Sequence, residues 1–445
     1  MSETVAHAGP RRHDYDAVVV GAGIIGCSIA FELSKRGYRT LNVDRLPAAG
    51  YGPTSNSCAI VRLHYSSLQG VAMAWESYFH WHHWEDYLGV VDDFGTARFV
   101  DTGVILLKSA TGHHLKSLEH YEELGIPYED WDTAELERRC PLYDVGAFYP
   151  PKRPDDPAFH VPPVEKLPGA IFTPQAGFVV DGLLSSHNVQ RAAEAAGGEF
   201  LFRAEVSSIR RDAERVRGVT LGDGTEIDAP IVVNVAGPHS NLVNRLAGID
   251  DEMAVRTRAL RHEVHHVPAP AGIDYGSTGI MTSDGDLGIY FRPEGENHIL
   301  VGSEDPPCDD REWVADPSVY NREVTRKQWE AQVFRLARRI PSLPIPHERK
   351  GVVDLYDVSD DWIPIYDCSS LPGFYMAIGS SGNQFKTAPV AGKLMATLIE
   401  RVEAGHDHDE EPVKVPCDYV DFELDAGFYS RRRQVVASSS FSVVG

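Results

Sequence analysis

Residues 16–44 read DAVVVGAGIIGCSIAFELSKRGYRTLNVD, and this stretch decides the fold. Asp16 to Val20 predicts a short strand buried on both faces, because the run after Asp16 offers no polar side. It leads directly into Gly21-x-Gly23-x-x-Gly26. Ile25, Ile29, Ala30 and Leu33 then recur at helical spacing, and Gly37 marks the stop. TLNVD predicts a second buried strand ending on Asp44, 23 positions after Gly21. Each glycine in such a unit has a physical task. Gly21 makes the tight turn, Gly23 lets the backbone approach a pyrophosphate, and Gly26 lets helix and strand pack closely. Ile24 and Ile25 open the helix, whose free N–H groups and partial positive charge suit an anion. Asp44 can accept from a ribose hydroxyl, with Arg45 beside it. The unit predicts a dinucleotide site in an α/β (α+β overall) protein.

Composition bounds the rest. The 445 residues carry 42 Lys+Arg against 65 Asp+Glu, a formal net charge of −23, and 42% are hydrophobic. That is too apolar for a disordered chain and long enough for two or three domains. The negative field argues against nucleic acid or an anionic membrane as partner, while leaving room for a local basic patch that attracts a small carboxylate. Six cysteines without a C-x-x-C pair exclude a disulfide scaffold or zinc ribbon and suit a cytoplasmic protein. No run approaches the roughly 20 apolar residues that span a bilayer, and the polar opening residues do not resemble a signal peptide.

Outward from the first unit, residues 47–70 predict a loop with a short element, and residues 71–90 an aromatic helix. In that helix His82 and His83 are expected to pack with Trp81 and Trp84, either as core or as a homo-oligomer interface. A proline-rich excursion covers about 140–175. Strands and a helix follow to about 240, a strand-rich block covers 255–305, and a helix covers about 320–340. Strand, glycine-rich loop and helix close the ordered part with GFYMAIGSSGNQFKTAPVAGKLMATLIERV. His262-Glu263-Val264-His265-His266 satisfies H-E-x-x-H, but the zinc chemistry of that motif needs a helix. This segment reads as a strand, so no metal is expected. Arg431-Arg432-Arg433 suggests a tail docked on its own surface or on a partner.

Four stretches in order carry a resemblance: GAGIIG with Asp44; TSNSCAIVRLHYS; GFVVDG followed by APIVVNVAGPHS; and IGSSGNQFKTAPVAGKLMATLI. Residues 14 to 400 resemble the D-amino-acid-oxidase superfamily of FAD enzymes, most of all its sarcosine oxidase and glycine oxidase branch. The resemblance implies a Rossmann-type FAD domain assembled from 14–90, 176–250 and 345–405. It implies a substrate domain on a mostly antiparallel sheet from 91–175 and 251–344, and a tail from 406 to 445. FAD contacts are expected from Gly21, Gly23, Ile24, Ile25, Gly26, Asp44, Arg45, Thr54, Ser55, Ser57, Val206, Ala236 and Gly237. The late loop is expected to add Gly379, Gly382, Asn383, Gln384, Phe385 and Lys386.

The implied chemistry is oxidation of the C–N bond of a small amino acid or N-substituted glycine by hydride transfer to flavin. Imine hydrolysis and reoxidation by dioxygen would follow. Arg62 matches the arginine that grips the substrate carboxylate, Lys386 a lysine serving it from the opposite side, and Tyr290 a pocket tyrosine. Glu304 falls where a histidine is usual, and His262 or Glu263 is expected to face the flavin. Arg292 could read a second carboxylate or hold the sheet by a salt bridge. Departures bear on chemistry. Asp354 stands near the cysteine that attaches flavin covalently in sarcosine oxidases, so non-covalent FAD is expected. Leu300 stands near the lysine credited with activating dioxygen, and His239 replaces a usual Trp. The alternatives are a dehydrogenase passing electrons to a protein or quinone, and a non-catalytic flavin-binding assembly subunit.

Overall fold

A computed structural model describes residues 13–445. The opening unit forms as the pattern demands: strand Ala17–Val20, helix Ile24–Lys35, strand Thr40–Asp44. These strands sit inside a six-stranded sheet in the order Glu199–Phe202, Thr40–Asp44, Ala17–Val20, Ile231–Asn234, Phe374–Ile378, Ile365–Cys368. All pairings are parallel except the last. The sheet's two faces follow the period-2 alternation of strands. Ala17, Val19, Ile231, Val233 and Ala377 turn toward a helical layer with Ile29, Leu394 and Leu398. Val18, Val20, Val43, Val232 and Phe374 turn the other way onto a smaller sheet through Ile209, Val216 and Val219. That smaller sheet holds Val206–Arg211, Val216–Leu221 and Glu226–Asp228. Helix Ile24–Lys35 lies so close to helix Ala388–Glu403 that a Cβ on Gly392 would come within 2.7 Å of the Ser28 carbonyl.

A second, nine-stranded sheet is mostly antiparallel, with one parallel pairing between Met281–Asp284 and Val104–Leu107. Its longest strand, Thr257–Pro268, contains the H-E-x-x-H segment, so successive side chains alternate in direction and the helical zinc geometry does not arise. Helix Arg326–Arg339 covers one face, burying Trp329, Val333 and Leu336 against Val267, Phe291, Ile299 and Val301. Thr325 caps that helix, its hydroxyl accepting from Gln328 N at 3.3 Å. Glu263 accepts from the Thr325 N–H at 2.9 Å, which turns it away from the other face and toward this cap. Strand Gly351–Ser359 pairs with Thr257–Pro268 over nine residues. The division drawn from the sequence put that strand with the nucleotide-binding segments. Its alternation is equally satisfied by either sheet, and only the pairing partner distinguishes them.

The aromatic segment is a helix over Leu68–His82, broken at His83 and resumed as Trp84–Leu88. Trp81 and Trp84 stack at 4.1 Å between ring centres and are buried. His82 and His83 are exposed instead of packing with them: His82 pairs with Asp101 at 3.1 Å and His83 lies over Tyr419. The arginine triplet docks on its own chain. Arg431 reaches Asp367 and Asp409, each at 3.0 Å, Arg432 reaches Asp409 at 2.9 Å, and Arg433 reaches Asp361 at 2.8 Å. Among the described residues no helix is long and apolar enough to cross a membrane.

Candidate active site

A cavity of about 770 Å³ runs from the first glycine turn to the nine-stranded sheet. At its nucleotide end Gly21 has φ +119°, and a Cβ there would lie 2.3 Å from the Val235 carbonyl oxygen. A Cβ on Gly26 would come equally close to the Gly21 carbonyl, so only glycine permits the turn and the helix to nest. Gly23 caps helix Ile24–Lys35 with no side-chain hydrogen bond. Thr54 Oγ1 accepts from the Ile24 N–H at 3.3 Å, and a helix N-terminus opening on a cavity in this way suits an anion. Asp44 accepts from Ala22 N and Leu46 N, both at 2.8 Å, which fixes the acid at the rim with lone pairs to spare. Arg45 and His239 meet at Ser318, and burial together with Arg45 pushes the His239 imidazole down to about 4.

The late loop closes the opposite wall. Asp357 is buried, and its Oδ2 accepts from Gly379 N at 2.7 Å and Ser240 Oγ at 2.9 Å, tying this loop to the 237–240 turn. Burial pushes its carboxyl up to about 7. Gly382 lies on Tyr356, where a Cβ would come within 2.5 Å of the ring.

The floor is one face of the nine-stranded sheet. Ser283 pairs with Tyr290, Tyr290 with Gly302, Gly302 with Val264, and Val264 with Val352. Residues two positions along share that face, which adds Met281, Glu304, His262, Asp354 and Tyr356 to the lining. Glu304 accepts from Ser283 Oγ at 2.5 Å, and burial pushes its carboxyl up to about 8. His262 stacks on Tyr356 at 4.3 Å and pairs through Nε2 with Asp305 at 2.7 Å. Tyr290 OH lies 3.6 Å from Cys58 Sγ, and burial holds the phenol well above its usual value.

Two cations meet at Tyr65. The Arg62 guanidinium lies 4.4 Å from the centre of the Tyr65 ring, and Lys386 Nζ donates to Tyr65 OH at 2.7 Å and to the Asn383 carbonyl at 2.6 Å. Arg62 itself donates to the carbonyls of His64 and, at 2.7 Å, Val443. Both cations are buried, and neither forms an ion pair with a carboxylate among the described residues. Burial, with Arg62 adding to it, lowers the Lys386 ammonium well below its usual value. Trp81 braces this corner: its Nε1 donates to the Lys386 carbonyl at 2.6 Å and its ring stacks on Phe385.

The cavity thus gathers Gly21, Gly23, Ile24, Ile25, Gly26, Asp44, Arg45, Thr54, Ser57, Val206, Ala236, Gly237, Gly382, Asn383, Gln384 and Phe385 with Arg62, Lys386, Tyr290, Glu304 and His262. Ser55 and Gly379 lie behind its walls: Ser55 turns its hydroxyl to the Gly52 carbonyl, and Gly379 packs on Ser359 and Thr257. Arg292 is structural, pairing with Glu294 at 2.7 Å and donating to the Cys58 carbonyl at 2.8 Å. Tyr65, Asp305 and Val443 were missed. Tyr65 lies three residues from Arg62 and could have been sought there, whereas Val443 carries no local signal. A cradle at Gly21 and Gly23, a helix N-terminus, a rim acid and the buried, partnerless Asn383 Nδ2 together fit a flavin dinucleotide.

Residues 16–398 match the family described as FAD dependent oxidoreductase (DAO). The chain is 24% identical over 429 residues to FAD-dependent oxidoreductase domain-containing protein 1 of Bos taurus, covering 88% of this chain and 82% of that one. It is 23% identical over 426 residues to sarcosine oxidase subunit beta of Arthrobacter sp, covering 91% and 95%. Among solved structures, L-proline dehydrogenase from P. horikoshii shares the fold with a TM-score of 0.74 at 20% identity, covering 95% of this chain and 98% of that one. The chain therefore belongs to the DAO family of FAD-dependent oxidoreductases, enzymes that act on amino acids and amines.

Proposed function

We propose that this enzyme oxidises the C–N bond of a small carboxylated amine, of the sarcosine, N-alkylglycine or iminodiacetate kind, with dioxygen as final acceptor and non-covalent FAD. The observation that carries this reading is the pair Arg62 and Lys386, buried at the sheet end of the cavity without a carboxylate of their own. Two basic groups desolvated in this way favour an arriving anion, the lysine by regaining its proton, and the planar guanidinium can take the anion with two parallel bonds. Bound FAD supplies the two-electron acceptor. The protein's residues then have two tasks. Arg62 and Lys386 hold the carboxylate, which fixes the rest of the substrate over the floor of Tyr290, Val264 and Met281. Glu304, held at Oε1 by Ser283, takes the ammonium proton, because an acid raised to about 8 is a better match to an amine than an ordinary carboxylate.

A screen of sarcosine, glycine, iminodiacetate, N-methylated amino acids, proline and D-amino acids tests the reading. Peroxide should form at the rate of amine loss, whereas turnover only with an artificial acceptor would make the enzyme a dehydrogenase. Arg62→Leu and Lys386→Met should each raise KM for the active substrate roughly 10–100-fold, as expected when a hydrogen bond to a charged group is lost, while FAD stays bound. Unchanged KM in both variants would place the carboxylate elsewhere.

A further inference from the structure

The end of the cavity at Arg62 is walled in part by a late segment of the protein's own chain. Residues 437–445, ASSSFSVVG, carry no charged side chain and are held by a few bonds to main-chain carbonyls. Ser439 Oγ donates to the Asp361 carbonyl at 2.5 Å, Lys116 Nζ to the Ser438 carbonyl at 3.0 Å, and Arg311 Nη2 to the Phe441 carbonyl at 2.5 Å. The Ser66 N–H donates to the Gly445 carbonyl at 2.9 Å. Between these anchors Val443 and Val444 line the cavity.

Val443 does two things there. Its carbonyl accepts from Arg62 Nη2, and its side chain joins the apolar cluster that contains Val264, Met281 and Tyr290. It therefore presents an oxygen to the carboxylate-binding guanidinium and a branched aliphatic group to the floor. Gly445 completes the fit: a Cβ at that position would lie 2.4 Å from the Tyr65 ring.

We infer that residues 437–445 are an internal pseudo-substrate, and that a carboxylate bearing a small branched aliphatic group displaces Val443 to reach Arg62. The inference rests on Arg62 and Lys386 being the carboxylate site. Three features make the segment displaceable. A neutral carbonyl is a weaker partner for a guanidinium than a carboxylate is. Holding Gly445 and its neighbours in one backbone conformation costs entropy that release returns. Phe441 sits in the left-handed region at φ 51°, a strained conformation that release would relax.

The test titrates the FAD-loaded protein with 3-methylbutanoate, following the flavin absorbance, in the full chain and in a chain ending at Val436. Deletion should tighten 3-methylbutanoate about tenfold, the fraction of binding-competent protein no longer being limited by the plug. The uncharged 3-methylbutanamide should change little, and the peptide ASSSFSVVG should compete with 3-methylbutanoate in the shortened protein. Equal or weaker binding after deletion overturns the inference. If the shortened chain fails to hold FAD, the full chain carrying Arg311→Ala and Lys116→Ala gives the same readout with two anchors loosened. It should bind roughly threefold tighter, and unchanged affinity again overturns the inference. Arg62→Leu in the shortened or loosened background separates the two claims. If 3-methylbutanoate binding survives that substitution, the carboxylate site itself is misassigned. If binding needs Arg62 yet ignores the plug, only the pseudo-substrate fails.

Discussion

Arg339 and Arg62 are both buried, and they could hardly be placed more differently. Arg339 lies behind the nine-stranded sheet, its guanidinium donating to Asp284 at 2.8 Å and Asp286 at 3.2 Å and to the carbonyls of Asp144 and Gly146. Arg335 with Asp309 and Arg431 with Asp367 and Asp409 repeat the pattern. Arg62 faces the cavity, hydrogen-bonded only to neutral carbonyl oxygens and lying against an aromatic ring. The Glu304 carboxyl is in electrostatic reach of it but not in an ion pair, and Lys386 likewise donates only to neutral oxygens. A buried charge is costly unless paired. Where the protein needs a strut, it supplies the carboxylate. At the cavity it forms no such pair, and this difference is what supports the proposal of an anionic ligand there.

The contrast is broken most forcefully through stability. Arg339→Ala strands two buried carboxylates and should cost about 3–5 kcal/mol. Arg62→Leu removes an uncompensated charge together with two bonds to carbonyls, and should stay within about 1 kcal/mol of the parent. Denaturant unfolding of both FAD-loaded variants decides the matter, since comparable losses would make Arg62 a strut like the others. A smaller but still large effect is expected at Glu304. Its acid form prevails below about 8, so the base form, and with it kcat/KM, should rise with pH up to that value and then level. Glu304→Gln should lower kcat/KM by roughly 10²-fold and erase that limb. If the limb persists in the variant, the proton goes to another group, with the His262–Asp305 pair next in line.

Much of this was legible because it is local. The Gly21 turn, the helix after it and Asp44 are dictated within 29 residues, and the structure adds only that Asp44 also holds two backbone amides. Period-2 alternation makes a sheet legible, yet not which sheet. Gly351–Ser359 reads the same against either neighbour, and its pairing with Thr257–Pro268 is a long-range choice. Lys386 was legible through the resemblance of its glycine-rich loop, and its place just before the helix Ala388–Glu403 is electrostatically unfavourable, which agrees with a task beyond packing. Tyr65, to which both cations turn, gave no such sign, since a buried tyrosine in a loop is ordinary. The seat of Val443 on Arg62 joins positions 381 residues apart, and nothing in ASSSFSVVG hints at a partner.

The subtlest difference between the two kinds of cation concerns protons. Carboxylates already surround Arg339 and raise its affinity for its proton, so ligand binding elsewhere leaves it charged. Lys386 is the reverse case: burial and the Arg62 charge push its ammonium well down. An arriving carboxylate opposes both effects by supplying the charge the site lacks, and so draws the lysine's pKa back up. Binding of a carboxylate should therefore take up a fraction of a proton, up to about one, at pH values between the free and bound pKa. Calorimetric titration of 3-methylbutanoate in buffers of different ionisation enthalpy measures that number. Lys386→Met should abolish the uptake and Glu304→Gln should preserve it. The opposite pattern would move the proton to Glu304, whereas no uptake in the parent protein would mean that the site already holds its charge before ligand arrives.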